Sequence, residues 1–144
     1  MAKKELFKIP LLNSLIKTMG AFPVDRSGAD VGAIRNMMKL LESGESTGMF
    51  PQGTRHPKED PRATAVKSGV GMIASHTGAT VVPVFLYQKN FKHRIFKKTI
   101  VTIGKPIPFE EFGYEKGAPG EYVRISKMVF DHICEIGEKE GYLK

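Results

Sequence analysis

Six consecutive residues, Phe50-Pro51-Gln52-Gly53-Thr54-Arg55, combine the groups that an anion site needs. A proline fixes the direction in which the chain leaves a strand, and a glycine lets backbone approach a ligand or turn through positive φ. Thr54 adds a hydroxyl donor, and Arg55 adds a planar guanidinium suited to paired hydrogen bonds on a phosphate. The alternative is a strand-to-loop turn with a solvated arginine, and the residues themselves leave both open. A second arginine, Arg26, follows the short extended stretch 21–24 in the same way. Two loops that leave strands, each with an arginine, point to one shared anion site. Ligands of α/β sheets collect where loops leave the carboxyl ends of strands.

The elements that must position these loops follow from periodicity. Leu11, Leu12, Leu15, Ile16 and Met19 recur at helical spacing after Pro10, and Gly20 stops them, which predicts a helix over 10–19. Residues 21–24 read as a short strand and 25–28 as a turn. Val31, Ile34, Met37, Met38 and Leu41 mark an amphipathic helix over 29–43, stopped by Gly44. A short strand is expected over 47–50, then a charged, proline-rich loop over 51–65. Val70, Ile73 and Ala74 predict a helix over 68–77. Residues 80–87 form a continuous apolar run, the pattern of a strand buried on both faces, and 99–103 a further strand. Tyr122, Ile125, Val129, Ile133 and Ile136 share one face of a closing helix over 119–138. Strands alternating with helices imply an α/β fold, a largely parallel (mixed) sheet flanked by helices. No repeat or linker interrupts it, so residues 1–144 are expected to make one domain.

Composition narrows the partners. The 144 residues are 41% hydrophobic and 26% charged, which excludes a disordered chain. No run of about 18 apolar residues exists to span a bilayer, and residues 1–6 lack the apolar core of a secretory signal. The one cysteine, Cys134, excludes an internal disulfide and multi-cysteine zinc patterns; it reads as a small packed hydrophobe in a reducing, cytoplasmic compartment. Twenty-two Lys and Arg against 15 Asp and Glu give a net charge of +7, which favours polyanions. The run 89–98 concentrates that charge in Lys89, Lys92, Arg94, Lys97 and Lys98, mixed with Phe91, Ile95 and Phe96. Such a mixture suits an anionic membrane surface or the phosphates of coenzyme A; the alternative is a solvated hairpin. Nucleic acid is not expected, because no aromatic platform or recognition-helix pattern accompanies the charge.

The stretch 50–55 also resembles the Phe-Pro-Glu-Gly-Thr-Arg block of the glycerolipid acyltransferases, especially the 1-acylglycerol-3-phosphate acyltransferases. Further blocks occur in that family's order. Gly20-Ala21-Phe22-Pro23-Val24-Asp25-Arg26 is similar to its second block, and Val81-Val82-Pro83-Val84 to its fourth. Lys67-Ser68-Gly69 matches the Lys-x-Gly between the third and fourth, and Ile103-Gly104-Lys105-Pro106-Ile107 the later Gly-Lys-Pro-Ile stretch. The likeness runs from residue 1 to about 108. It implies acyl transfer from acyl-CoA or acyl carrier protein to the free hydroxyl of lysophosphatidic acid, giving phosphatidic acid. It further implies a peripheral seat on the cytoplasmic membrane face and no metal or tightly bound cofactor. Arg26 and Arg55 map to the arginines that hold the substrate phosphate; Gly53 and Thr54 shape the loop, and Lys67 is a further anion contact. Val82, Pro83 and Val84 read as core.

Two departures from the family pattern stand out. Gln52 occupies the place of the usual Glu, keeping size and an acceptor but losing charge. The first block, His-x4-Asp, is absent. A hydroxyl attacking a thioester needs a general base, which a histidine oriented by a carboxylate supplies. None of the four histidines, His56, His76, His93 and His132, has an acidic residue five positions on. Residues 1–12 resemble sequence that follows that block closely, so the chain is expected to lack the N-terminal catalytic segment and to be inactive as it stands. The alternatives are a non-catalytic lysophospholipid- or phosphate-binding module and, behind it, a basic nucleic-acid-binding domain.

Overall fold

The structure, a computed structural model, describes residues 2–24, 30–54, 56, 59–89 and 97–143. Its contacts divide the chain into two compact units, Met1–Met49 and Phe50–Lys144.

In the first unit, β1 (Ala2–Lys3) pairs in parallel with β2 (Pro23–Val24), Ala2 opposite Pro23 and Lys3 opposite Val24. A parallel pair needs a crossover, and the intervening chain supplies it as a 3-10 turn (Lys4–Lys8) and α1 (Pro10–Thr18). Pro10 occupies the first helical turn, where its missing N–H costs nothing. Gly20, at φ 73°, closes the other end with its N–H on the Lys17 carbonyl at 2.9 Å. The second helix, α2 (Val31–Glu42), starts at Asp30, whose side chain accepts from the Ala33 N–H at 2.9 Å. Ala33 and Met37, one turn apart, are its buried residues. No ladder forms over 47–50, where a strand was expected. Gly48 offers no side chain to pack there, and Pro51 has no N–H to extend a ladder.

In the second unit, α3 (Gly69–Thr77) packs on α4 (Glu121–Lys139), and α4 packs on a two-stranded antiparallel sheet. That sheet joins β3 (Val84–Tyr87) to β4 (Ile100–Ile103), with Val84 opposite Ile103 and Tyr87 opposite Ile100. The α/β class with mixed strand directions therefore holds; among the described residues its parallel component is β1–β2. Residues 80–87 do not form one continuous strand buried on both faces. Pro83 interrupts the ladder, leaving an isolated bridge between Val81 and Ile107 before β3 begins. Side chains then alternate. Phe85 turns toward α4 and is buried with Phe130, Cys134 and Leu143, whereas Val82 and Val84 point away and are 46% and 37% exposed. Of the three residues expected in the core here, Pro83 alone is buried.

Two contacts explain how closely α3 and α4 approach. A Cβ at Gly71 would overlap the Tyr122 carbonyl, so only glycine fits. The Gly71 N–H, one of the groups a helix start leaves without an intrahelical partner, donates to Ser126 Oγ at 2.8 Å. Ser126 is fully buried, and it supplies from α4 the cap that Ser68 does not make within α3. Cys134 behaves as the expected small hydrophobe; burial pushes its thiol pKa up to about 11.

Ahead of α4, a 3-10 turn (Phe109–Phe112) seats Phe112 in the interior. Glu121 locks this segment down. Its carboxylate accepts from the Glu115 N–H at 2.9 Å and from Arg124, which also donates to the Phe112 and Gly113 carbonyls at 2.8 and 3.0 Å. The Arg124 guanidinium and the Glu115 amide hold the Glu121 pKa down to about 2.

Candidate phosphate-binding loop

The loop that the sequence singles out is built against a second stretch of the same unit. Gly53 donates its N–H to the Phe50 carbonyl at 3.0 Å, closing a turn, and adopts φ 70°. That conformation strains any residue with a Cβ, so the turn requires glycine. The Pro51 carbonyl accepts from the Lys67 N–H at 2.8 Å. The Lys67 side chain passes directly beneath the turn, its Cγ 3.3 Å from where a Gly53 Cβ would sit.

Gln52 makes the other cross-link. Its Nε2 donates to Thr64 Oγ1 at 2.6 Å, and that hydroxyl donates onward to the Pro61 carbonyl at 2.6 Å. Gln52 thus turns back into the loop, while Gly53, Thr54 and Lys67 are exposed. The amide explains how glutamine serves at this position. Thr64 has already committed its proton to Pro61, so the partner at 52 must donate, which an ionised carboxylate cannot do. Thr64 escaped the sequence reading, because a hydrogen bond across twelve residues of loop follows no periodic pattern.

The neighbouring acids are already engaged. Asp60 caps the short 3-10 turn Pro61–Ala63 and pairs with Arg62, whose guanidinium holds the Asp60 pKa below the usual carboxylate range. Arg62 also reaches Glu138 of α4 at 2.8 Å. Glu59 lies 3.2 Å from His56 Nδ1. Lys67 is exposed, and among the described residues no carboxylate lies within ion-pair distance of it. Backbone at a glycine turn, a threonine hydroxyl and a lysine are the donor types that phosphate-sized anions take.

Other sequence candidates are placed as follows. Arg26 and its turn, Arg55, Lys92 and Arg94 lie outside the described residues, as does His93. Lys89, Lys97 and Lys98 are exposed at the two ends of the connection between β3 and β4. Gln88 ties those ends together by donating to Thr99 Oγ1 at 2.6 Å. The three described histidines have local partners: His56 with Glu59, His76 Nδ1 with the Met72 carbonyl at 2.8 Å, and His132 with Glu135 at 3.4 Å. His56 and His132 each face a glutamate three positions on, not an aspartate at the His-x4-Asp spacing.

Residues 1–87 match the family model described as Acyltransferase, and the chain belongs to that family. The matched span holds the blocks at 20–26, 50–55, 67–69 and 81–84, and it crosses both compact units. The chain is 36% identical over 116 residues to the 1-acyl-sn-glycerol-3-phosphate acyltransferase of Bacillus subtilis strain 168, covering 79% of this chain and 56% of that protein. It is 38% identical over 85 residues to the enzyme of the same name from Streptococcus pneumoniae, covering 58% of this chain and 30% of the relative. Its fold matches the crystal structure of PlsC, the 1-acyl-sn-glycerophosphate (LPA) acyltransferase of Thermotoga maritima, with a TM-score of 0.63 at 26% identity. That match covers 96% of this chain and 55% of the Thermotoga chain. The chain thus spans little more than half the length of the Bacillus and Thermotoga relatives.

Proposed function

We propose that this chain provides the glycerol-phosphate-binding part of an acyltransferase. The reaction moves an acyl group from acyl-CoA or acyl carrier protein to the free hydroxyl of 1-acylglycerol-3-phosphate, giving phosphatidic acid at the cytoplasmic membrane face. One observation carries the reading. The turn at 50–54, held by Pro51 to Lys67 and by Gln52 to Thr64, presents Gly53, Thr54 and Lys67 at one exposed edge, with Arg55 next in sequence. Arg26 and Arg55 are the proposed bidentate ligands of the phosphate, and the cations at 89–98 serve the acyl donor or the lipid surface.

The test is a titration of the 144-residue chain with lysophosphatidic acid. Arg55→Ala should weaken binding by about 1.5–3 kcal/mol, the scale of hydrogen bonds to charged groups. Unchanged affinity in the folded variant removes Arg55 from the site. Salt-dependent retention of nucleic acid that survives Arg26→Ala with Arg55→Ala would favour the nucleic-acid reading instead.

A second reading, lysophospholipid binding without turnover, is favoured by the absence of a His-x4-Asp spacing in these residues. With no His-x4-Asp in these residues, no side chain is assigned to take the hydroxyl proton. An acyl-transfer assay on the 144 residues separates the two. Binding with no turnover above background is the expected result, and turnover would locate a base among them.

A further inference from the structure

The charged loop 51–65 carries two arginines, Arg55 and Arg62, and by residue type either could hold a phosphate. The structure commits Arg62 to the scaffold. Its Nε donates to Asp60 at 3.0 Å, and its Nη1 donates to Glu138 of α4 at 2.8 Å. Its backbone N–H donates to the same Asp60 carboxylate at 2.9 Å. Asp60 and Glu138 thereby tie the 3-10 turn Pro61–Ala63 to α4. That turn presents the Pro61 carbonyl, which accepts both the N–H and the hydroxyl of Thr64, at 3.0 and 2.6 Å. Thr64 Oγ1 is thus fixed with its proton on Pro61 and its lone pairs open to Gln52, whose Nε2 donates at 2.6 Å.

We propose that Thr64 is a positioning residue for phosphate binding, acting through Gln52 on the turn that carries Gly53 and Thr54. Thr64 is half-buried, and its one hydroxyl proton is already given to Pro61. It therefore has no donor left for a phosphate oxygen, and its route to the ligand is Gln52. The Pro51–Lys67 backbone bond holds the start of the turn, and the Gln52 side chain holds its middle. A loop ordered in advance loses little conformational entropy when its ligand arrives, so loosening it lowers affinity without removing a contact. Arg62 supports the same relay from α4, but its ion pairs are exposed, and exposed pairs contribute little. The inference rests on the proposed function in taking lysophosphatidic acid as the anion.

The test pairs titration of the 144-residue chain with lysophosphatidic acid and backbone order parameters, from nuclear magnetic resonance, of the ligand-free chain. Thr64→Val keeps the shape and removes the hydroxyl; it should weaken binding by about three- to tenfold, the span of one lost hydrogen bond. Thr64→Ser keeps the hydroxyl and should bind within about twofold of the parent. Adding Gln52→Leu to Thr64→Val should weaken binding no further, because the two side chains act through one bond. Without ligand, the order parameters of Gly53 and Thr54 should fall in Thr64→Val and recover in Thr64→Ser. That of Met72, whose N–H is held by the Ser68 carbonyl at 2.9 Å, should stay constant, which separates a loosened loop from unfolding. Unchanged order at 53 and 54 in Thr64→Val overturns the proposal. So does a loss that Thr64→Ser fails to restore, or an additive loss in the double variant. Arg62→Gln should weaken binding less than Thr64→Val does; a larger loss would make Arg62 a ligand and overturn its place in the scaffold. If Arg55→Ala binds as the parent does, the lysophosphatidic acid reading fails, and the order parameters still decide whether Thr64 holds the turn. If Arg55→Ala loses affinity while Thr64→Val keeps it, that reading stands and the positioning role falls.

Discussion

Two helices with the same kind of apolar spacing have opposite fates in this molecule. α4 buries Ile125, Ser126, Val129 and Phe130 against α3 and β3, while α1 has no fully buried residue among its nine. Periodicity says which side chains share a face, and it does not say what that face will meet. In α4 the face meets Gly71 and Phe85, and its residues hold the second unit together. In α1 Leu11, Leu15 and Met19 of that face remain exposed.

The largest expected effect sharpens this contrast directly. Phe112 is 1% exposed, and Phe112→Ala should destabilise the second unit by about 3–5 kcal/mol through lost transfer energy and a residual cavity. Leu11→Ala, with 89% of its surface already in water, should change stability by less than about 0.5 kcal/mol. Urea denaturation of the two variants measures the difference. Comparable losses would mean that α1 is buried in solution and would break the contrast.

Next in size is Gly71→Ala, expected to cost about 1–3 kcal/mol as α3 is pushed off the Tyr122 carbonyl. The displacement also lengthens the Gly71 N–H bond to Ser126, so the Gly71 amide should lose hydrogen-exchange protection. A variant as stable as the parent would show that the helices do not approach this closely.

The acid limb of stability is a smaller effect confined to the second unit. Glu121 has a folded pKa of about 2 against an ordinary 4.5, set first by Arg124 and then by the Glu115 amide. A depressed folded value means that the stabilisation is full above the unfolded pKa and is lost as pH falls through the window from about 4.5 to 2. Glu121→Gln should therefore be less stable than the parent at neutral pH, and the gap should close on acidification. Thermal unfolding across that window checks it; a gap independent of pH would remove the Glu121–Arg124 clasp as its source.

The parts of the structure legible in the sequence are those decided locally. Pro10 and Gly20 bound α1, Gly78 stops α3, and the blocks at 20–26 and 50–55 announce the family, because each depends on neighbouring residues alone. The expected strand at 47–50 failed where Gly48 and Pro51 weaken a ladder, and the core reading of Val82 and Val84 misled for a different reason. A core position requires a partner surface, and apolar composition does not reveal whether one is present. Gln52 shows the same limit within the candidate site: its type was legible, but its partner Thr64 was not.

Gln52, half-buried, therefore provides the finest test. Gln52→Leu removes one hydrogen bond from a half-buried loop and should cost about 0.5–1.5 kcal/mol. Gln52→Glu keeps the size but cannot donate to Thr64 while ionised. Thr64 must then rotate its hydroxyl toward position 52 and leave the Pro61 carbonyl, or face the carboxylate with no proton between them. Either way the turn is less firmly held at neutral pH, and protonating the new carboxyl restores a donor. The Gln52→Glu variant should accordingly recover stability relative to Gln52→Leu as pH falls below the usual carboxylate range. If the two variants track each other at every pH, the cross-loop bond does not hold the candidate site. Thr54 and Lys67 would then owe their placement to the Pro51–Lys67 backbone bond alone.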